Sequence, residues 1–281
     1  AEKDITGMSN NMLRIFKEKG LASALGERGR KRITDFFTLE KHLDTLENAI
    51  TKSIDTCFMN TEPLVSIIMP TYNRADLIGE TLESVQNQTY QNWECIISDD
   101  FSTDKTMDSI KRFVNGDSRF IVSKNMKTKG APGARNTGVE ISRGSFLIFL
   151  DSDDLLHPDC LSNRINEFKK NSHCDFLVFS TIEFKNIIDD TNILVNVNTT
   201  QDTIARFLMM DVPWVIMSPI WKRESFLKIG QWKEEILSWQ DLYIHLRALL
   251  KNFKYLYYSN VDNYWSINSD TYSINNSSED F

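Results

Sequence analysis

The spacing of apolar residues divides the chain into two regions, of which the first, residues 1–60, is predicted to be helical. An amphipathic helix is predicted to begin behind Thr38, a residue type favoured as a helix N-cap. Its apolar positions recur at intervals of three or four residues: Leu39, Leu43, Leu46, Ile50 and Ile54. An earlier helix is predicted over Asn11–Leu25, with Gly26 and Gly29 interrupting the pattern after it. We therefore expect a helical appendage that packs on the main domain or on another domain.

From Pro63 onwards, short apolar runs alternate with amphipathic helices, which is the pattern of a mostly parallel α/β sheet. The predicted strands are Leu64–Met69, Glu94–Ser98, Phe120–Val122, Phe146–Leu150 and Asp175–Phe179. Helices are predicted over Ala75–Gln86, around Ile110, over Ala134–Ser142, around Ile165 after Pro158, and over Asp241–Leu250. The polar stretch 186–200 is predicted to be a surface excursion or a hairpin. The fold class is therefore α/β, a Rossmann-like sheet flanked by helices.

Composition and charge describe an ordinary globular protein of 281 residues, 41% hydrophobic and 25% charged. The net charge of −7 at pH 7 argues against a general binder of nucleic acid or of anionic membranes. The longest apolar run, Phe146–Leu150, is far shorter than the ~20 residues that span a bilayer, so no transmembrane segment is predicted. The four cysteines are scattered without a CxxC pair, which predicts reduced thiols rather than a zinc site. Since no leader is visible, a cytoplasmic protein is expected.

Polar residues follow three of the predicted strands, at the sheet edge where open α/β folds bind ligands. They are the segments Pro70–Arg74, Asp99–Asp100 and Asp151–Asp154. Neither GxGxxG nor GxxxxGK[ST] follows the first strand, so neither a dinucleotide-binding dehydrogenase nor a P-loop protein is predicted. The three carboxylates of FLIFLDSDD repel one another, and a divalent cation such as Mg²⁺ or Mn²⁺ would relieve that repulsion. Helix capping by Asp153 or Asp154 is the alternative interpretation.

Two runs of sequence between Val65 and Asp154 resemble the nucleotide-sugar-binding half of a family 2 glycosyltransferase of the GT-A fold. They read VSIIMPTYNRADLIGETLESVQNQTYQNWECIISDDFSTDKT and GAPGARNTGVEISRGSFLIFLDSDD. A weaker resemblance to the acceptor side continues through Ile229–Trp232 and Trp239–Asp241. The resemblance implies a GT-A domain over residues 61–281, with a donor half at 61–155 and an acceptor half at 156–281, behind the helical segment 1–60.

This resemblance implies a metal-dependent inverting transferase that moves a hexosyl or N-acetylhexosaminyl group from a nucleotide sugar, usually a UDP-sugar, to a hydroxyl group. The implied acceptor is a glycan, a glycolipid or a lipid-linked saccharide in surface polysaccharide biosynthesis. Peripheral association with the inner face of a membrane is compatible with such an acceptor. No nucleic-acid partner is expected, and the sequence does not indicate the oligomeric state.

Site residues carry over from the family position by position. Those implied to hold the nucleobase and ribose are Pro70, Thr71 and Tyr72. Asp100 is implied to accept a hydrogen bond from the base, which suits the imide N–H of uracil because a carboxylate is only an acceptor. Arg135 is implied to reach the nucleotide or its phosphates, and Asp151 to contact the ribose or the metal shell. A packing role for Tyr72 and a capping role for Asp100 are the alternatives.

The metal and the general base also come from the resemblance. Asp153 is implied to coordinate Mn²⁺ or Mg²⁺, with Asp151 beside it and Asp154 as a competing ligand, because family members differ in which acidic position binds the metal. Asp241 is implied to be the general base that takes the proton of the acceptor hydroxyl. Many relatives have an acidic residue immediately before this base, where this chain has Gln240. An N-terminal helix residue stabilised by the dipole is the alternative for Asp241.

Two other function classes compete with the transferase. A non-catalytic nucleotide-sugar-binding scaffold would keep the fold, but the acidic residues of a working site are all in place. A nucleotidyltransferase would normally have a basic glycine-rich loop after the first strand, and this chain has none there. The stretch LASALGERGRKRITDFFTLEKHLDTLENAI is also similar to the terminal helices of GT-B glycosyltransferases, so the chain is expected to be part of a larger two-enzyme polypeptide.

Overall fold

The computed structural model describes residues 5–36, 38–46, 49, 62–195, 197, 199–236 and 238–267. It contains two compact units, Ala1–Asn60 and Thr61–Phe281. The boundary between the units falls where the apolar spacing changes from helical to strand-like.

The first unit contains the helices Ile5–Lys17 and Leu21–Phe36, and residues 39–46 are also helical. The single helix predicted over Asn11–Leu25 is wrong. The chain breaks at Gly20, whose φ of 91° is a left-handed conformation that favours glycine, and not at Gly26 or Gly29.

The cap predicted at Thr38 is confirmed. The backbone N–H of Lys41 donates to Thr38 Oγ1 at 3.3 Å, and the N–H of His42 donates to the Thr38 carbonyl at 3.0 Å. Both bonds satisfy groups of the first helical turn that would otherwise lack partners. The predicted apolar positions Ile50 and Ile54 lie outside the described residues.

The second unit is built on one sheet. Its strands are β1 Val65–Thr71, β2 Trp93–Asp99, β3 Phe120–Lys124, β4 Phe146–Phe149, β5 Leu155–Leu156, β6 Phe176–Phe184, β7 Ile193–Leu194, β8 Pro219–Lys222 and β9 Tyr255–Ser266. The strand order is β3-β2-β1-β4-β8-β6-β9-β5, and β7 pairs with β6. The first four strands are parallel, and so is the pair of β6 and β9. Antiparallel β8 separates these two groups. The predicted mostly parallel α/β sheet is confirmed.

Helices connect the strands of the second unit: Ile78–Gln86, Thr106–Val114, Ala131–Ile141, Cys160–Lys170, Thr203–Leu208, Arg223–Ile229 and Gln240–Leu250. Five of them lie where the apolar spacing predicts a helix, although the first begins at Ile78 and not at Ala75. The short helices Thr203–Leu208 and Arg223–Ile229 were not predicted. The polar stretch after β6 turns back on itself, because Ile182 and Glu183 of β6 pair antiparallel with β7. Of the two predicted interpretations of that stretch, the hairpin is therefore correct.

The core lies on both faces of the central strands. Every residue of β1, β2 and β4 is buried, as expected for parallel strands covered by helices on each side. Aromatic rings fill the core beside β4: the Phe149 ring centroid lies 5.0 Å from that of Trp232 and 4.8 Å from that of Phe226. Trp232 is therefore a core residue, whereas the side chain of Trp239 is 57% exposed.

A fully buried ion pair joins the helix Cys160–Lys170 to β9. Arg164 Nε donates to Asp262 Oδ2 at 2.8 Å, and Arg164 Nη2 donates to Oδ1 at 2.7 Å. Arg164 Nη1 also donates to the carbonyl of Met217 at 2.9 Å, and both charged side chains are 0% exposed. A buried charge tolerates this environment only while its partner stays in place.

Replacing Arg164 with Met is expected to lower the free energy of unfolding by about 3–5 kcal/mol, because it leaves the Asp262 carboxylate buried without a counter-charge. Urea titration followed by circular dichroism measures this loss. The double variant R164M/D262L should recover part of it, since neither charge remains. The control Lys170→Met, at an exposed position of the same helix, should change stability by less than about 0.5 kcal/mol; an equal loss in both single variants would contradict the assignment.

Candidate active site

The ends of β1 and β2 lie side by side in the sheet. Thr71 pairs with Asp99 in the sheet, and the N–H of Asp100 donates to the Thr71 carbonyl at 2.8 Å. The Asp100 carboxylate accepts from Asn125 Nδ2 at 2.7 Å through Oδ1, and from the N–H of Gly130 at 2.8 Å through Oδ2. Asp100 therefore ties together the segments that follow β1, β2 and β3, and each of its oxygens keeps a lone pair for a ligand.

The loop after β1 contains the three residues predicted to hold the nucleoside. Pro70 and Thr71 are buried, and Thr71 Oγ1 has no hydrogen-bond partner among the described residues. Tyr72 is 38% exposed, and the Lys129 ammonium lies 5.3 Å from its ring centroid. Asn73 then turns the chain with a φ of 51°. The loop thus presents an exposed aromatic face beside a cation and a buried hydroxyl without a partner.

The start of the helix Ala131–Ile141 requires glycine at two positions, one immediately before the helix and one in its first turn. Gly130 has a φ of 120°, which L side chains rarely adopt. A Cβ at Gly133 would lie 1.9 Å from the carbonyl oxygen of Thr128. The backbone therefore folds tightly at the helix N-terminus, and this turn sets the position of Arg135 one turn into the helix.

Three carboxylates follow β4 in the segment Asp151–Asp154. Asp151 is partly exposed, and its Oδ1 accepts from Arg135 Nη2 at 2.7 Å. Asp153 lies deeper, with a side chain 10% exposed and with Oδ2 3.7 Å from Arg74 Nε. Asp154 is buried and its Oδ1 accepts from the N–H of Ser266 at 2.8 Å. The three side chains thus point to three different partners.

Arg135 connects the acidic segment to the start of the helix Gln240–Leu250. Its Nη1 donates to Gln240 Oε1 at 2.6 Å while Nη2 holds Asp151, and its guanidinium lies 5.0 Å from the Trp232 ring centroid. Arg135 is 5% exposed, and its buried Nε has no hydrogen-bond partner among the described residues. The predicted contact of Arg135 with the nucleotide stays a prediction; in this structure the side chain bridges Asp151 and Gln240.

Burial and crowding change the acidity of this edge. Burial, with a further contribution from the charge of Asp151, raises the pKa of Asp153 to about 6. Burial raises the pKa of Asp154 well above its ordinary value, and the two neighbouring carboxylates act in the same direction. The carboxyl groups of Asp153 and Asp154 therefore bind a proton more readily than an ordinary aspartate does.

Asp241 lies in the first turn of the helix Gln240–Leu250, behind Trp239, whose φ is 56°. Burial raises its pKa, and the neighbouring Arg135 charge acts in the opposite direction. His245, one turn further on, is buried, and burial lowers its pKa to about 3, so it stays neutral at physiological pH. Asp241 is thus the titratable group of this turn that is suited to accept a proton.

The acidic segment can contribute carboxylate ligands to a divalent cation, but its side chains do not form a complete coordination shell by themselves. Among the described residues, no three His, Cys, Asp or Glu side chains converge as metal ligands. Mg²⁺ typically takes one or two protein carboxylates and completes its shell with water and substrate phosphates. Asp151 and Asp153 supply two such carboxylates, and the raised pKa of Asp153 shows that positive charge is favourable there. Asp154, which is bonded to Ser266, has the less direct position for this role.

Some side chains of the site were not predicted from the sequence. Asn125 donates to Asp100, and Asn136 Nδ2 donates to the Trp232 carbonyl at 3.0 Å and to Glu234 Oε1 at 2.9 Å. Glu234 Oε2 accepts from the N–H of Thr128 at 3.0 Å. The adjacency of Asn136 to Arg135 in the motif GARN was the available signal.

Much of this site lies within a region that matches a known protein family. The family model described as Glycosyl transferase family 2 matches residues 66–214. The chain belongs to glycosyltransferase family 2. The match contains both strand-end segments, the turn before Arg135 and the acidic residues after β4, so the predicted family is confirmed.

This family 2 chain is similar in sequence to glycosyltransferases of bacteria and archaea. WfaP of Escherichia coli, a UDP-Glc:α-D-GlcNAc-diphosphoundecaprenol β-1,3-glucosyltransferase, is 50% identical over 103 residues, 37% of this chain and 40% of WfaP. MJ1057 of Methanocaldococcus jannaschii, an uncharacterized glycosyltransferase, is 30% identical over 199 residues, 69% of this chain and 67% of the relative. The chain spans less than half the length of WfaP and WfgD, two of the relatives it matches most strongly.

Solved structures share the fold. The structure of S. aureus TarS residues 1–349 with UDP superposes with a TM-score of 0.59 at 22% identity. The match covers 72% of this chain and 60% of that TarS fragment. The mannosyltransferase PcManGT of Pyrobaculum calidifontis, solved with GDP-Man and Mn²⁺, gives 0.58 at 20% identity, covering 76% and 60%. These likenesses confirm the predicted fold class. No helix in the described ranges is long and apolar enough to cross a bilayer.

Replacing Asp153 with Asn is expected to stabilise the metal-free protein at pH 7 by about 2 kcal/mol. The folded pKa is raised, so the folded state binds more protons between pH 4 and 6 and loses stability as the pH rises through that range. Thermal unfolding at pH 4.5 and pH 7 measures this: wild type should lose stability with rising pH relative to the variant. The control Asp76→Asn, at an exposed position, should leave the pH dependence unchanged.

Proposed function

We propose that this protein transfers a sugar from a UDP-sugar to a hydroxyl group of a glycan or lipid-linked saccharide in surface polysaccharide biosynthesis. One observation carries the proposal: Arg135 holds Asp151 of the donor half and Gln240 of the acceptor half at 2.7 and 2.6 Å. The acidic segment and Asp241 are thereby brought to the same cleft. The UDP-Glc and lipid-linked acceptor in the name of WfaP support the choice of substrates.

The donor is proposed to bind in the cleft of the first four strands. Tyr72 offers its exposed ring to the uracil, and the hydroxyl of Thr71 offers a buried polar partner. Asp100 is held by Asn125 and Gly130, so its remaining acceptor capacity points in a fixed direction toward an imide N–H.

Asp151 and Asp153 are the proposed ligands of Mn²⁺ or Mg²⁺. Such a cation, when bound, stabilises the negative charge that grows on the diphosphate leaving group. The chain itself contributes Arg74, 3.7 Å from Asp153, and Arg135, which keeps the Asp151 carboxylate oriented. Asp154 is proposed to fix the segment by its bond to Ser266, which ties it to β9.

Asp241 is the proposed general base. Its carboxylate takes the proton of the acceptor hydroxyl while the oxygen attacks the anomeric carbon and the bond to the nucleoside diphosphate breaks. Because attack and departure occur on opposite faces in one step, the configuration inverts. The exposed Trp239, immediately before the helix, offers an aromatic face to the acceptor sugar.

The first experiment measures release of nucleoside diphosphate from UDP- and GDP-sugars with Mn²⁺ or Mg²⁺ and a saccharide acceptor. Asp241→Asn is expected to lower kcat by about 10²–10⁴-fold, because the variant cannot accept the proton. The control Asp108→Asn, at an exposed position paired with Lys111, should keep wild-type turnover. The scaffold alternative gains support if UDP binds to the wild type but no donor is turned over, and pyrophosphate release would indicate a nucleotidyltransferase.

The pH profile of kcat/KM tests the same assignment. The base works ionised and burial raises its pKa, so activity should fall with decreasing pH at a value above the ordinary aspartate range. The change Gln240→Glu places a like charge beside Asp241, which should move this acid limb to still higher pH. The control Gln201→Glu, at an exposed position, adds the same charge and should leave the profile in place. An unmoved limb in Gln240→Glu would exclude Asp241 as the titrating group.

A further inference from the structure

The charge of the chain is distributed unevenly along its sequence. The helices Ile5–Lys17 and Leu21–Phe36, with the turn between them, contain seven basic and three acidic side chains, a formal charge of +4. The whole chain has a charge of −7, so the remainder has −11. We call the segment 5–36 the basic arm. Its charge is opposite in sign to that of the rest of the protein.

The first helix of the basic arm exposes apolar side chains at helical spacing. Met12, Ile15 and Phe16 stand at i, i+3 and i+4, so they share one face. Phe16 is 86% exposed and Met12 is 56% exposed. Large apolar side chains clustered in water mark a surface that binds something.

The second helix combines apolar and basic positions on one face. Leu25, Arg28 and Arg32 stand at i, i+3 and i+7, and Leu25 is 44% exposed. Arg30 and Lys31 add two more exposed cations in the same turns. Long basic side chains beside an apolar stripe can keep their charge in water while their stems cover apolar surface.

We propose that the basic arm docks the protein on a bilayer surface containing anionic phospholipid. Nucleic acid would engage the cations and leave Phe16 and its neighbours in water. A helix lying in the headgroup layer satisfies both, because its apolar side chains enter the acyl boundary and its cations meet the lipid phosphates. The proposal goes beyond the proposed function and does not depend on it, since the docking requires neither donor nor acceptor.

The test uses the 281-residue chain and sedimentation with extruded vesicles of phosphatidylcholine, with and without 30 mol% phosphatidylglycerol. Binding to the anionic vesicles should be at least about tenfold tighter than to the neutral ones and should weaken between 50 and 500 mM NaCl. Equal binding to both compositions, or no binding to either, overturns the proposal.

Two independent variants separate the apolar and electrostatic contributions. M12S/F16S removes exposed apolar contacts, and R28Q/R30Q/K31Q/R32Q removes four cations; each should lower binding to anionic vesicles at least about tenfold. The control K105Q/K111Q/R112Q/K228Q removes four exposed cations from the second unit and should stay within about twofold of wild type.

Sedimentation equilibrium without lipid tests the other occupant of this face, a second copy of the chain. A dimer that M12S/F16S disrupts and that added anionic vesicles leave intact, with no vesicle binding, would falsify the membrane assignment. Thermal unfolding of each variant confirms that the second unit keeps its stability, so a loss of binding reports on the basic arm and not on the fold.

Discussion

The pairing of Arg135 with Asp151 and Gln240 is the interaction on which the site depends. Carboxylates placed at the end of a fully buried strand lose their hydration and repel one another, and both effects favour protonation. Arg135 donates a hydrogen bond to Asp151 and is itself held in place by Gln240 and by the Trp232 ring. An acidic residue at position 240 would compete with Asp151 for the same guanidinium. Glutamine supplies the acceptor oxygen without that competition, so Arg135 can hold Gln240 and Asp151 at the same time.

The antiparallel strand β8 joins the two parallel groups of strands, because it pairs with β4 on one side and with β6 on the other. The parallel strands β3, β2, β1 and β4 bring their carboxyl ends to one edge, as in other doubly wound sheets. Beyond β8, the pair β6 and β9 supplies Ser266, whose N–H holds Asp154. The helix of Asp241 packs its buried face, Ile244 and Ala248, into the aromatic core beside β4. Core packing therefore sets the distance between the acidic segment and Asp241, although neither belongs to the aromatic core.

The sequence predicted the first half of the sheet well because its signals are local. Apolar runs, glycines and strand-end carboxylates lie within a few residues of the elements they define, and the buried strands appear at the predicted places. The bonds of Asn125 to Asp100 and of Asn136 to Glu234 join residues distant in sequence, and no periodic pattern encodes them. The helix break at Gly20 was misplaced for a related reason: Gly26 and Gly29 have equal intrinsic freedom, and only backbone conformation distinguishes them.

Whole-chain charge is too coarse a measure for judging the membrane contact that we propose for the basic arm. At physiological salt the Debye length is about 8 Å, so a headgroup layer responds to the charges of the segment that touches it rather than to the sum over 281 residues. The net charge of −7 is compatible with a cationic segment because the acidic excess lies elsewhere along the chain. The same reasoning applies within the active site, where Asp153 responds to Asp151 and Arg74 a few ångströms away. In both places the local arrangement of charge, and not the composition, determines which ligand is bound.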